Sequence, residues 1–210
     1  MFSYIVKRLP VMALLASAML FFGCEHDGGG EADVGDNNIN LVVCAGDSIT
    51  LGYACDGPTY PAQLAAMSGK SVRNCGVRGV TASYGASKIS SYLSCKPGYV
   101  CILYGANDAI HGRSAAETKR NLRAIIGACK KNKSIPILAT TPPMIKGHSL
   151  YDGAARSVNI AIRELASEEG VALVDLYKAF GSAEGYLVSD GLHPNAAGAE
   201  LIAKCFLGAL

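Results

Sequence analysis

Four short stretches of this sequence bring together residue types that can do nucleophilic chemistry. "GDSIT" ends an apolar run with Asp47 and Ser48, and "DGLHPN" places Asp190 three residues before His193. "NCGVRG" (74–79) and "YGAND" (104–108) contribute glycine-flanked backbone and the side-chain amide of Asn107. A serine hydroxyl is a weak nucleophile until a base takes its proton, and the base in turn needs an orienting acid. Pro194 disfavours an α conformation at His193, so the histidine should sit extended at a helix entrance. Asp190 can then accept from Nδ1–H and leave Nε2 free to receive a proton. Acyl transfer also requires donors aimed at a developing oxyanion. Glycines let backbone N–H groups approach a ligand closely, and an asparagine amide adds two more hydrogens. Taken singly, each stretch has a plainer reading. Ser48 also suits a helix N-cap, and Asp190 to His193 also reads as an Asp-Gly turn with a capping histidine. Asp47 and Asp108 read as structural acids bonding turn amides, and His111 and His148 as surface or substrate-rim residues.

The elements that must position these groups follow from hydrophobic periodicity. Strand-like apolar runs occur at 39–45, 71–76, 99–105, 135–141 and 171–176, separated by helical patterns. In the third helical stretch Leu122, Ile125, Ile126 and Cys129 mark one face, and in the fourth Val158, Ile162 and Leu165 do. The stretch after His193 opens with Pro194, favoured in a first helical turn. Alternating strands and helices with near-continuous apolar strands predict a parallel sheet covered on both faces. Right-handed crossovers collect the strand C-terminal ends on one edge, where ligands bind. Asp47 and Ser48, Asn74 and Gly79, and Asn107 and Asp108 all fall there.

Four blocks, "GDSIT", "NCGVRG", "GAND" and "DGLHPN", resemble in order those of the SGNH (GDSL) hydrolase family, and they span Gly46 to Asn195. The resemblance implies a flavodoxin-like three-layer α/β/α fold with a five-stranded parallel sheet, and serine esterase or lipase chemistry without metal or organic cofactor. It assigns Ser48 as nucleophile, His193 as general base and Asp190 as its orienting acid. It assigns the oxyanion hole to the backbone N–H of Ser48 and Gly79 and the side-chain amide of Asn107. Position 50 is Thr, so the chain lacks the G-x-S-x-G elbow of α/β-hydrolases.

The N-terminus reads as an export signal. Lys7 and Arg8 precede an uncharged apolar run from Val11 to Phe22, shorter than the about 20 residues that span a bilayer. Its end, "LFFGC", resembles a bacterial lipobox with Cys24 as the lipidated residue, although Phe21 stands where leucine is commonest. An ordinary signal peptide or membrane anchor is the alternative. Residues 24–38 are rich in Gly, Asp and Asn and carry five acids and no base, a composition suited to a linker. The expected organisation is therefore a signal at 1–23, a linker at 24–38 and a hydrolase domain at 39–210. The expected location is the bacterial cell envelope, periplasmic or surface side, with a lipid anchor in the membrane.

The whole chain carries net charge +2, and the part from Ile39 onward +5. Part of that excess is a run at Lys119, Arg120, Arg123, Lys130, Lys131 and Lys133, read as a solvated helix face. It has no aromatic interleaving, so a nucleic-acid partner is not expected. Of eight cysteines, Cys44, Cys75 and Cys101 fall in apolar strands, whereas Cys55 and Cys95 are the better disulfide candidates. Four histidines, one in the linker, give little support for a metal site.

The connection from Thr140 to Asp152 should border the pocket. Met144, Ile145 and Tyr151 either contact an acyl chain there or pack beneath the loop. No long apolar insertion is present to form a lid, which favours a short acyl group such as a carbohydrate O-acetyl. The substrate classes considered are small-molecule, acylated-glycan and lipid esters. Lysophospholipid or thioester hydrolysis is the alternative, and a non-catalytic glycan-binding lipoprotein is the alternative of another class.

Overall fold

The computed structural model describes residues 33–210. The expected signal segment, Cys24 and most of the linker lie outside that range. Five strands form one wholly parallel sheet: β1 (Asn38–Gly46), β2 (Ser71–Gly76), β3 (Pro97–Leu103), β4 (Ile135–Ala139) and β5 (Ala172–Val174), in the order β2-β1-β3-β4-β5. The order reverses at β1, which is where open α/β sheets place their ligands. Helices α1 (Ser48–Leu51), α2 (Tyr60–Ser68), α3 (Ala82–Leu93), α4 (Ala106–Ile110), α5 (Ala115–Lys131), α6 (Asp152–Glu169), α7 (Leu176–Phe180) and α8 (Ala196–Leu207) connect them. α3, α5 and α6 pack side by side on one face of the sheet, and α2, α8 and α7 on the other. The three-layer α/β/α architecture expected from the sequence is therefore present.

Composition explains which strands lie where. Val42 to Ala45 of β1 and Val100 to Leu103 of β3 are buried, because both faces of a central parallel strand are covered and every side chain must be apolar. β2, at one edge, carries Arg73 and Asn74 on exposed positions. The predicted helical faces on α5 and α6 are the ones that pack inward.

Several boundaries differ from expectation. β3 stops at Leu103 because Gly105, at φ +126°, turns the chain into α4. β4 stops at Ala139; the Thr140 amide still donates to the Val174 carbonyl of β5, but Thr140 Oγ1 donates to Asp175 and the Thr141 amide donates to the Asn159 side chain instead of the sheet. α8 begins at Ala196 and not at Pro194. Asn195 caps it by accepting from the Gly198 amide at 2.9 Å, while Pro194 forms an isolated bridge with Leu187.

The basic run on α5 is not simply solvated. Lys119 pairs with Glu164 and Glu168 of α6, Arg123 with Glu168 and Glu169, and Lys130 with Glu169. These pairs sit at the surface, where solvent screening leaves each of them only a small contribution. All seven described cysteines are free thiols, including both disulfide candidates. Cys55 donates to the Pro58 carbonyl and Cys95 to that of Tyr92. Among the described residues, no helix is long and apolar enough to cross a membrane.

One buried side chain fixes the start of the connection after β4. Asn159, on the inward face of α6, accepts from the Thr141 amide at 2.8 Å and donates to the Thr141 carbonyl at 3.0 Å. Removing it strands a buried backbone donor and acceptor, at about 1–3 kcal/mol each. Asn159→Ala should lower unfolding stability by roughly 2–6 kcal/mol in urea titration. A loss below about 0.5 kcal/mol, typical of inert surface sites, would show that Thr141 finds other partners.

Candidate active site

β1 delivers Ser48. The strand ends at Gly46, where an added Cβ would lie 1.9 Å from Thr50 Oγ1 and 2.7 Å from the Leu103 carbonyl. Only glycine lets α1 fold back this closely on the end of the sheet. Asp47 caps α1, with Oδ1 accepting from the Ile49 amide at 2.9 Å, and Ser48 becomes the first helical residue. Thr50 Oγ1 shares a hydrogen bond of 3.0 Å with Tyr60 OH, so α1 is anchored to α2 beneath the site.

The loop before α8 delivers Asp190 and His193. Gly191 adopts φ +75°, and a Cβ there would meet the Ile145 carbonyl at 2.0 Å. This left-handed turn bends the chain so that the carboxylate faces its own sequence. Asp190 Oδ1 accepts from the amides of Leu192 (2.9 Å) and His193 (3.0 Å), and Oδ2 lies 2.6 Å from His193 Nδ1. His193 Nε2 lies 2.9 Å from Ser48 Oγ. The serine, histidine and aspartate thus form one continuous hydrogen-bonded series. Main-chain bonds hold the histidine in place: Val188 N–H donates to its carbonyl, and Ile145 N–H to that of Gly191.

Electrostatics separate the two aspartates. Partial burial works against ionisation of Asp190, but the His193 ring and the two backbone amides outweigh it and hold the carboxyl below its ordinary value. Asp47 is fully buried, and desolvation drives its pKa up to about 7 despite the Ile49 amide, with the nearby Asp108 adding to the rise. Asp47 Oδ2 accepts from Asn107 Nδ2 at 3.3 Å, which ties the asparagine to the serine turn. One Nδ2 hydrogen stays uncommitted by that bond. Asp108 serves elsewhere, accepting from the Ala82 amide at the start of α3 and from Thr118 Oγ1.

Gly79 lies in the turn after β2, at φ +76° with open space beside it. The neighbouring Arg78 stacks its guanidinium 4.0 Å over the Tyr53 ring, and Tyr53 meets the His193 ring edge-on at 4.9 Å between centroids. That stack brings the β2 loop to the same edge as His193. Tyr53 carries no sequence signal, being a lone aromatic in a polar connection, while Arg78 sits unremarked inside "NCGVRG". The role of His148 was also not legible. Its Nδ1 lies 2.8 Å from the Asp190 carbonyl oxygen, joining the 3-10 helix Lys146–Tyr151 to the triad loop. Met144 is buried in the core, and Leu150 is the most exposed apolar side chain near the rim. Among the described residues, no group of three or more His, Cys, Asp or Glu is arranged to hold a metal ion.

Comparison with known proteins agrees with this fold. The model of the GDSL-like lipase/acylhydrolase family matches residues 44–201. The chain is 29% identical to the Bacillus subtilis (strain 168) lipoprotein YqeF, over 71% of this chain and 75% of that protein. It is 28% identical to an acetylxylan esterase of Xylanibacter ruminicola, over 80% of this chain but only 42% of that longer protein. The crystal structure of a lipase/acylhydrolase from Enterococcus faecalis is 29% identical and superposes with a TM-score of 0.71, covering 80% of this chain and 93% of that one. The chain belongs to the GDSL-like lipase/acylhydrolase family.

Proposed function

We propose that this protein is a serine esterase that removes short acyl groups, such as O-acetyl groups of carbohydrates, through an acyl-enzyme on Ser48. The observation that carries the reading is the unbroken series from Asp190 through His193 to Ser48 at the carboxyl edge of the sheet. In this reading Ser48 Oγ attacks the ester carbonyl while His193 Nε2 takes its proton. Asp190, held ionised, stabilises the imidazolium that forms. The Ser48 and Gly79 amides and the Asn107 side chain receive the oxyanion. His193 then protonates the departing alcohol, and water attacks the acyl-serine with His193 again as base. The acetylxylan esterase among the relatives supports an acetylated carbohydrate as substrate, although this chain spans less than half of that protein. Export as a lipoprotein through Cys24 is part of the same proposal, supported by the lipoprotein relative.

Three outcomes follow. Ser48→Ala should lose at least about 10⁴-fold in turnover of p-nitrophenyl acetate. It should also escape labelling by a fluorophosphonate, which must modify the wild type; an unlabelled wild type would favour a binding module. Asp47→Asn should face the Asn107 amide with another donor and cost about 10²-fold or more in kcat. Its stability profile should change as well. Folded Asp47 keeps its proton to about pH 7, whereas an unfolded aspartate releases it near 3.8. The folded form therefore binds more protons between these values, and the Asp47 contribution falls as pH rises from about 4 to about 7. Melting curves across that range should decline less steeply for Asp47→Asn than for wild type, and parallel curves would refute the buried acid. Finally, Cys24→Ala should move the protein from the membrane fraction to the soluble one, and retention in the membrane would contradict lipid anchoring.

A further inference from the structure

The stack of Arg78 on Tyr53 on His193 has no part in the proton relay. Arg78 is exposed in the turn after β2 and makes no ion pair with a described carboxylate. Its guanidinium carbon lies 4.0 Å over the centroid of the Tyr53 ring, and Tyr53 in turn packs against the His193 ring at 4.9 Å between centroids. The charge is therefore linked to the imidazole through the Tyr53 ring, which contacts both. Stacking fixes the plane of a guanidinium and leaves its N–H edge free, which is the arrangement that recognises planar oxyanions bidentately. Carboxylates around the site are already engaged. Asp190 is committed to His193 and two amides, Asp47 to Ile49 and Asn107, and Asp56 Oδ1 to the Ala196 amide at 2.7 Å.

We infer that Arg78, seated on Tyr53, is a subsite for a carboxylate carried by the alcohol half of the ester, as on an acylated uronate. The inference rests on the esterase reading above. An acetyl group has no room for a charge, so the anion must lie on the alcohol. It adds to that reading a preference among substrates: anionic acylated glycans over neutral ones.

The test uses matched aryl acetates, 3-acetoxybenzoate and its neutral counterpart 3-acetoxybenzamide. Wild type should favour the anionic ester in kcat/KM. Arg78→Gln should lower the anionic-to-neutral ratio about tenfold, the worth of one charge-assisted contact, and Arg78→Lys should restore part of it. The wild-type preference should also fade in about 1 M salt, where the Debye length shrinks to about 3 Å. A second arm needs no turnover: Ser48→Ala should bind oligogalacturonate more tightly than xylo-oligosaccharide by calorimetry, and adding Arg78→Gln should erase the difference. An unchanged ratio in Arg78→Gln, or equal binding of the two oligosaccharides, would overturn the subsite. If neither ester is hydrolysed, the esterase reading falls and the binding arm alone decides the subsite.

Discussion

A single hydrogen bond of 2.9 Å joins Ser48 Oγ to His193 Nε2 across 145 residues of sequence, and most of the fold can be read as what that distance requires. Ser48 follows β1, whose second half from Val42 to Gly46 is buried, and α1 closes on its end because Gly46 has no side chain. The histidine side is fixed by connections between loops. Asp56 and Gln63 both bond to Ala196, at the start of α8, and Tyr60 of α2 stacks on Phe206 of α8 at 5.6 Å. The segment following the serine is thus tied directly to the helix following the base. An error of an ångström at either end would break the relay, which is why so many polar groups near it are spent on backbone contacts.

Environment sorts two chemically identical side chains into different states. Asp190 is only partly buried and has a cationic partner on hand once His193 takes a proton, so it stays ionised. Asp47, one residue from the serine, is sealed from water and retains its proton to about pH 7. In sequence it adjoins Ser48, yet it reads as a structural acid that bonds turn amides. In the folded chain its oxygens face Ile49 and Asn107, not the histidine. In the proposed reaction its influence would run through the asparagine.

The fold was legible wherever one physical rule dominated. Central strands of a parallel sheet must be apolar on both sides, so β1, β3 and β4 stood out as short continuous runs. Ser48, Asp190, His193, Gly79 and Asn107 stood out because they fall in four short blocks whose order resembles that of the SGNH (GDSL) hydrolase family. What stayed hidden depends on contacts between distant segments. Asn159 sits among Val158, Ile162 and Leu165 on an apolar helical face, and only the Thr141 backbone opposite gives it a reason to be polar. The pairing of α5 cations with the Glu168 and Glu169 carboxylates requires knowing that α5 and α6 are neighbours. The start of α8 was misplaced because proline favours a first turn, whereas here Asn195 offers the better cap. Cys55 and Cys95, promising in polar loops, each bond a nearby carbonyl instead.

The central claim is that Ser48 carries the acyl group between the two halves of the reaction. Quenching the enzyme in acid during steady-state turnover of an activated acetate ester, then mapping the acetylated peptide by mass spectrometry, tests this directly. The account predicts one acetyl group, on the peptide containing Ser48 and located at that residue by fragmentation. An acetyl group on any other side chain, or turnover at full rate with no trapped acyl-enzyme under conditions where deacylation limits, would contradict it.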